Sequence, residues 1–353
     1  CRDEMTTTQG ITACVPECVV RPMYGAFNTC PHPNGANPFE GYTVILVPQC
    51  GGDLHAGNVT HPTWKHPMYP NASVEQRGLI NMRSVLEWVK ANTAPKLTHF
   101  AFSGESAGAI GVQIWSPTIL RELSYDRATI LSDSYVGVFP DNFQGHIFKN
   151  LGVCDSGLLF GENLKKCREG TITIPDVFTA AIQEFPDVLF GNINSKHDST
   201  QVMFYNAALG SMRIAKAMEW CGDVDPNECD LSSAPMDIME VGSTLEGMEY
   251  HQRIEEIIER LSHNPNYISY LLSGDSHVSL PTMYGNCSYL DYTHTDDTHW
   301  LGDRDGDQRH SAQSWTRHFF APIKESKSSR CETFNEGEID DFCREEQEQH
   351  VSA

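Results

Sequence analysis

No apolar run in the sequence approaches the roughly 18 to 20 residues that a membrane-spanning helix needs, so no transmembrane segment is expected. Cations are also scarce: 25 Lys+Arg stand against 47 Asp+Glu, a formal net charge of -22. Binding nucleic acid through a general basic surface is thereby excluded, because neutralising phosphates takes clustered Lys and Arg. A strongly polyanionic substrate is disfavoured for the same reason. There is no CxxC pair, and the nearest spacing, Cys14 to Cys18, has no second pair at zinc-finger distance. Internal repeats and low-complexity tracts are absent, which argues against solenoids and disordered linkers. The chain carries neither an initiator Met nor a signal peptide and opens on Cys1, the pattern of a processed product or a fragment.

The 353 residues that are present, 40% hydrophobic and 20% charged, have ample material for a buried core. Twelve cysteines are too many for a typical cytosolic enzyme of this size. Short-range pairs could close surface loops: Cys14 or Cys18 with Cys30, Cys154 with Cys167, Cys221 with Cys229, and Cys331 with Cys343. Spacing alone leaves the connectivity open. Sequons at Asn58, Asn71 and Asn286 fit the same oxidising compartment, so a secreted protein is expected.

Along the chain, short β-rich runs alternate with helical patterns. The runs are Tyr42–Pro48, Leu97–Ser103, Arg127–Asp133, Asp187–Ile193 and Tyr267–Ser273, most of them apolar on both faces. Such strands belong between helix layers. Helical periodicity covers Val74–Ala91, a stretch from Asp176, Ser199–Trp220 and Thr244–Leu261. The alternation predicts an α/β fold: a mostly parallel sheet with helices on both faces. One domain is expected over residues 1–325, with an insertion at 134–186 and a charged tail at 326–353.

The strand Leu97–Ser103 runs directly into Gly104-Glu105-Ser106-Ala107-Gly108 and then a small-residue helix start. This is G-x-S-x-G in the context that gives it meaning, with the serine on a tight strand-to-helix turn. Glycines two before and two after are expected to remove clashing Cβ atoms. The Ala107 N–H at the helix start is the natural first oxyanion donor. The competing reading is a glycine-rich βα turn that only packs.

A serine hydroxyl needs a base, and the base an orienting carboxylate. In α/β-hydrolases acid and then histidine follow the serine, each just past a later strand. Asp198, after Asp187–Ile193, and His277, after Tyr267–Ser273, occupy those places. Asp198 could instead be only a helix cap, since Asp198-Ser199-Thr200-Gln201 has the form of a capping box. Asp133 is the rival acid and His197 the rival base. Asp275 reads as a loop residue, and His55, His294, His299 and His310 remain further histidine candidates.

These segments carry a family resemblance. GESAGAIGV, SDSYVGVFP, NSKHDSTQ and GDSHVS, in that order, resemble the pectin acetylesterase / Notum family of serine carboxylic-ester hydrolases, and NPFEGYTVILVPQCGGDLHAGN is similar to another block of that family. The likeness covers roughly residues 1–285. It implies an α/β-hydrolase-like fold with Ser106 as nucleophile, Asp198 as acid and His277 as base. It also implies a structural or pocket-lining role for the block Asp133-Ser134-Tyr135, where Tyr135 departs from the family's glycine. Family members complete the oxyanion hole with a glycine-rich loop ending near a cysteine, and Cys1 looks like that cysteine. On this reading the first strand or strands are missing from this chain. Losing one oxyanion donor costs on the order of 3 to 4 kcal/mol in the transition state, so a poorly active or unstable chain is expected. The implied substrate is an acetylated polysaccharide. A longer acyl chain, as in the family's lipid-deacylating branch, is the alternative, and a catalytically silent glycan- or acyl-binding protein of the same fold is the reading from outside enzymology. No cofactor is expected, and the oligomeric state is left open.

Other candidates are weaker. The loop carrying Gly51, Gly52, Asp53 and His55 follows an expected strand and is placed at the substrate pocket, against a plain βα loop; Cys50 in it has no evident base. Asp296, Asp297, Asp303, Asp305 and Asp307 alternate as in a calcium loop, but the glycine is misplaced and the terminal Glu absent. Zinc at His294, Asp297 and His299 lacks paired helical spacing, so no metal is expected. Trp115, Trp300 and Trp315 could stack on sugars, although tryptophan more often packs in a core.

Overall fold

The computed structural model describes residues 39, 41–49, 51–61, 74–221, 244–279, 315–316 and 319–320. Its centre is a four-stranded parallel sheet in the order β3 (Leu97–Glu105), β4 (Tyr125–Asp133), β5 (Leu189–Ser195), β6 (Tyr267–Leu272). A small antiparallel pair, β1 (Val59–His61) with β2 (Val74–Gln76), stands apart from it. The helices are α1 (Gly78–Asn92), α2 (Ala107–Glu122), α3 (Phe143–Asn150), α4 (Gly161–Glu169), α5 (Ile174–Glu184), α6 (Ser199–Cys221) and α7 (Gly247–Ser262).

The two faces of the sheet are packed differently, as the period-two alternation of a strand requires. Ala128 and Ile130 of β4, Phe190 of β5 and Tyr267 and Leu271 of β6 lie under α2, α5, α6 and α7 with Phe178, Tyr205, Tyr250 and Ile254. Leu131, Ile193, Tyr270 and Leu272 point the other way, onto Phe39, Trp315, Phe319 and Phe320. Each such buried side chain contributes about 1.5–3 kcal/mol. Residues 134–186 hold α3, α4 and α5, and their Phe148, Val153, Leu158 and Ile172 share one cluster with Leu79 of α1 and Ile114 of α2.

The four later strand assignments agree with the sequence reading to within a few residues. Tyr42–Pro48 does not. It forms no ladder, and Ile45 and Leu46 stay 39% and 67% exposed. A strand exists only where a neighbour completes its hydrogen bonds. Here the segment is held by side chains, with Phe39 edge-on to Tyr42 and the Tyr42 hydroxyl bonded to His99 Nδ1. The helix expected from Val74 also starts later. Val74–Gln76 pairs with β1, and α1 begins where the buried Asp53 carboxylate accepts from Gly78 N at 2.6 Å. α7 begins at Gly247 rather than Thr244, because Leu245 N donates to Asn206 Oδ1 at 2.8 Å.

Trp115 and Trp315 are core residues. Trp115 is buried and donates from Nε1 to His55 O at 2.8 Å, and Trp315 packs between Tyr270 and Phe319. Neither is open to a sugar. Trp300, the acidic stretch 296–307, His294, His299, His310, Cys50, Asn71, Asn286 and the tail 326–353 lie outside the described residues.

Cys154 and Cys167 form a disulfide, one of the pairs expected from spacing, and it is compatible with an oxidising compartment. It clips the start of a short 3₁₀ turn to α4 across a sequence separation of 13. Closing a loop of that length is worth about 3 kcal/mol in the chain-entropy description. The double variant Cys154→Ala/Cys167→Ala should therefore unfold at lower urea, by about that much. An unchanged midpoint would show the bridge to be dispensable.

Candidate active site

The nucleophile candidate sits where β3 hands over to α2. Ser106 adopts φ 54 and ψ -119, a sparsely populated conformation for a residue with a side chain. Its N–H donates to Asp133 O at 2.9 Å, and its carbonyl accepts from Ala109 N and Ile110 N. Only one of the two flanking glycines is required by space. A Cβ on Gly104 would lie 2.4 Å from Gly108 O, whereas one on Gly108 would meet nothing within 4 Å. Ala107 opens α2, where the first N–H groups have no intrahelical acceptor and the helix dipole is positive.

Asp198 follows β5 and is fully buried. Its Oδ1 accepts from Gln201 N at 2.9 Å and its Oδ2 from Gln201 Nε2 at 2.8 Å, so it does cap α6. It also meets an imidazole. His277 Nδ1 lies 2.8 Å from Oδ2 and 3.0 Å from Oδ1. Capping and pairing are both carried by one side chain. Beneath it Gln201 donates on to Asn194 Oδ1, and Asn194 to the Tyr250 hydroxyl.

His277 follows β6 with its side chain 18% exposed, and its other nitrogen, Nε2, is buried with no hydrogen-bond partner. No hydrogen bond joins it to Ser106. Their segments meet at one residue nonetheless: Asp133 accepts from Ser106 N at 2.9 Å through its carbonyl and from Ser279 N, two residues past His277, at 2.7 Å through Oδ2. Catalytic contacts commonly tighten only around substrate.

Asp133, the rival acid, is bonded elsewhere: Oδ2 accepts from Ser279 N at 2.7 Å and Oδ1 from the Ser134 hydroxyl at 2.8 Å. His197, the rival base, stands edge-on to His251 with ring centroids 5.6 Å apart, and its N–H donates to Gly274 O. Asp275 works through its carbonyl, which accepts from Ser199 N and Oγ. A cavity of about 470 Å³ lies beside these loops, lined by His197, Glu246, Gly247, Met248, Gly274 and Asp275.

The candidates of the 51–55 loop are bound into the scaffold. Gly51 O accepts from Gln76 Nε2, and Gly52 takes φ 59. Asp53 is buried on the Gly78 amide, and desolvation raises its pKa. His55 lies against Gly111 of α2, where burial lowers its pKa to about 4 and keeps it neutral at physiological pH. Tyr135 is buried with its ring on Phe139, and its hydroxyl has no hydrogen-bond partner. Burial pushes that phenol well above its ordinary range.

Glu105 was passed over in the sequence as the variable position of G-x-S-x-G. It sits opposite Asp133 in the β3–β4 register. Desolvation first, then the Asp133 charge, raise its pKa to about 7, partly offset by His277. The available signal was an acidic residue at the end of an apolar strand. Among the described residues no cluster of His, Cys, Asp and Glu could hold a metal ion, and no helix is long and apolar enough to cross a membrane. No protein-family model and no curated protein matches the chain, so the site stands on its own geometry.

Proposed function

We propose that the protein is a secreted serine carboxylic-ester hydrolase working through an acyl-enzyme on Ser106. The observation that carries this reading is the buried Asp198 carboxylate 2.8 Å from His277 Nδ1, with the opposite ring nitrogen left without a partner. An Asp on Nδ1 fixes the tautomer that has its lone pair on Nε2. That lone pair takes the Ser106 proton as Oγ attacks the ester carbonyl carbon. The oxyanion forms against the Ala107 N–H at the α2 N-terminus. Collapse expels the alcohol, which receives the proton from Nε2. Water then attacks the acyl-enzyme with the same nitrogen as base, releasing the acid and restoring Ser106.

The acyl group is proposed to be acetyl on a polysaccharide, by the resemblance of the sequence blocks, with a longer acyl chain as the alternative. A silent glycan- or acyl-binding protein of this fold would need neither a buried carboxylate paired with an imidazole nor a serine held in a strained turn. Fluorophosphonate labelling separates the two, and because the adduct accumulates irreversibly it registers even a slow centre. Stoichiometric labelling that disappears in Ser106→Ala is expected. A wild-type chain that stays unlabelled while folded would refute the esterase reading.

A further inference from the structure

The segments that carry Ser106, Asp198 and His277 do not simply happen to end at one rim. The Asp198 and His277 loops bond each other directly, through His197 N to Gly274 O and Ser199 N to Asp275 O, but the nucleophile turn is joined to both by two adjacent residues at the end of β4. Asp133 O accepts from Ser106 N at 2.9 Å, fixing the nucleophile turn. Ser134 N donates to Ile193 O at 2.8 Å, fixing β5, which leads to Asp198. Ser134 Oγ accepts from Val278 N at 2.7 Å, and Asp133 Oδ2 accepts from Ser279 N at 2.7 Å, fixing the loop just past His277. The Ser134 hydroxyl in turn donates to Asp133 Oδ1 at 2.8 Å, so the two side chains hold each other. Both residues are fully buried.

Backbone strain gathers at the same point. Six non-glycine residues of the described chain have positive φ, and Ser106 (φ 54), Ser134 (φ 59) and Val278 (φ 57) are three of them. For a β-branched residue such as Val278 that conformation is a genuine outlier. Such strain persists only where the surroundings over-determine it. The hydrogen bonds that do so here converge on Asp133 and Ser134.

We propose that Asp133 and Ser134 form a latch that sets the distance and angle between the Ser106 hydroxyl and the His277 imidazole. Resting on the esterase reading, this makes them positioning residues: neither touches the reacting atoms, and each acts through the backbone of a residue that does or of its neighbour. A misplacement of about 1 Å in such a constellation lowers rate about 10²-fold, while substrate binding is little affected.

The test compares wild type, Ser134→Ala, Asp133→Ala and Asp133→Asn on p-nitrophenyl acetate, with active sites counted by fluorophosphonate titration. Ser134→Ala removes the acceptor of Val278 N and should lower kcat per active site about 10- to 100-fold, with KM within about twofold. Asp133→Ala should lower it further. Asp133→Asn is isosteric, still accepts from Ser279 N, and should recover most of the loss. A purely structural role would move the melting temperature and the active fraction but leave kcat per active site unchanged. That outcome, in Ser134→Ala and in Asp133→Ala if it folds, overturns the latch while the esterase reading stands. If Asp133→Ala does not fold, Ser134→Ala decides alone. A wild type that neither labels nor turns over ester removes both readings together.

Discussion

Asp198→Asn should lower kcat about 10⁴-fold, the loss expected when the imidazole is held in the wrong tautomer. The helix cap is spared in this variant. Asparagine is as good a helix cap as aspartate, so Oδ1 can still accept from Gln201 N and α6 keeps its start. The amide nitrogen then faces His277 Nδ1 as a donor, which obliges Nδ1 to accept and moves the ring proton to Nε2. A protonated Nε2 has no lone pair for the Ser106 proton. Folding stability should fall by about 1–3 kcal/mol, because the same amide nitrogen replaces the oxygen that accepts from Gln201 Nε2, so activity is read per folded molecule; KM should stay within a few-fold, because no contact to bound ester is altered. Activity per folded molecule within tenfold of wild type would remove Asp198 from the proposed chemistry, leaving it the capping role alone.

Glu105→Gln should make the protein more stable at alkaline pH, by up to about 3 kcal/mol. The Glu105 carboxyl has its pKa raised to about 7 by desolvation and by the neighbouring Asp133 charge. A carboxyl so raised binds its proton more tightly folded than unfolded. Wild-type stability therefore falls as pH rises from the ordinary carboxylate range to about 7, and the loss is complete above that. Glutamine has no charge to desolvate and escapes it. Urea titrations at pH 4, 6 and 8 should give matching midpoints for the two proteins at pH 4 and a widening gain for the variant at 6 and 8. A gain that is the same at all three would mean packing, not ionisation, is responsible. A group kept against its own stability beside a proposed nucleophile is the usual pattern at functional sites.

The strands β3 to β6 could be read from the sequence because each is a largely apolar run, a pattern local to a few residues, although β3 is only half-buried in the fold. The placement of Asp198 and His277 was legible for a related reason: strand ends fix where the following loop emerges. Tyr42–Pro48 has the same local pattern and yet no ladder, because pairing depends on a neighbour that the run itself does not encode. The Asp133–Ser134 latch was invisible for the same cause, since its bonds join residues 106, 133, 134, 193, 278 and 279 across the whole sheet. Asp198 shows the converse. Capping box and catalytic acid read as competing roles in one dimension, and in three dimensions one carboxylate both caps α6 and pairs with an imidazole, so the two are compatible. Gly108 carries the consensus without the steric need, which lies on Gly104 alone.

The aromatic cover over the second face of the sheet has a practical corollary. Phe39, from early in the chain, and Phe320, from late in it, meet with ring centroids 4.7 Å apart above Leu131, Ile193 and Tyr270. The expression boundaries of any shortened version are thereby set. Trimming inward past either ring uncovers a greasy plateau, and recombinant yield, rather than catalysis, is what such a truncation forfeits first.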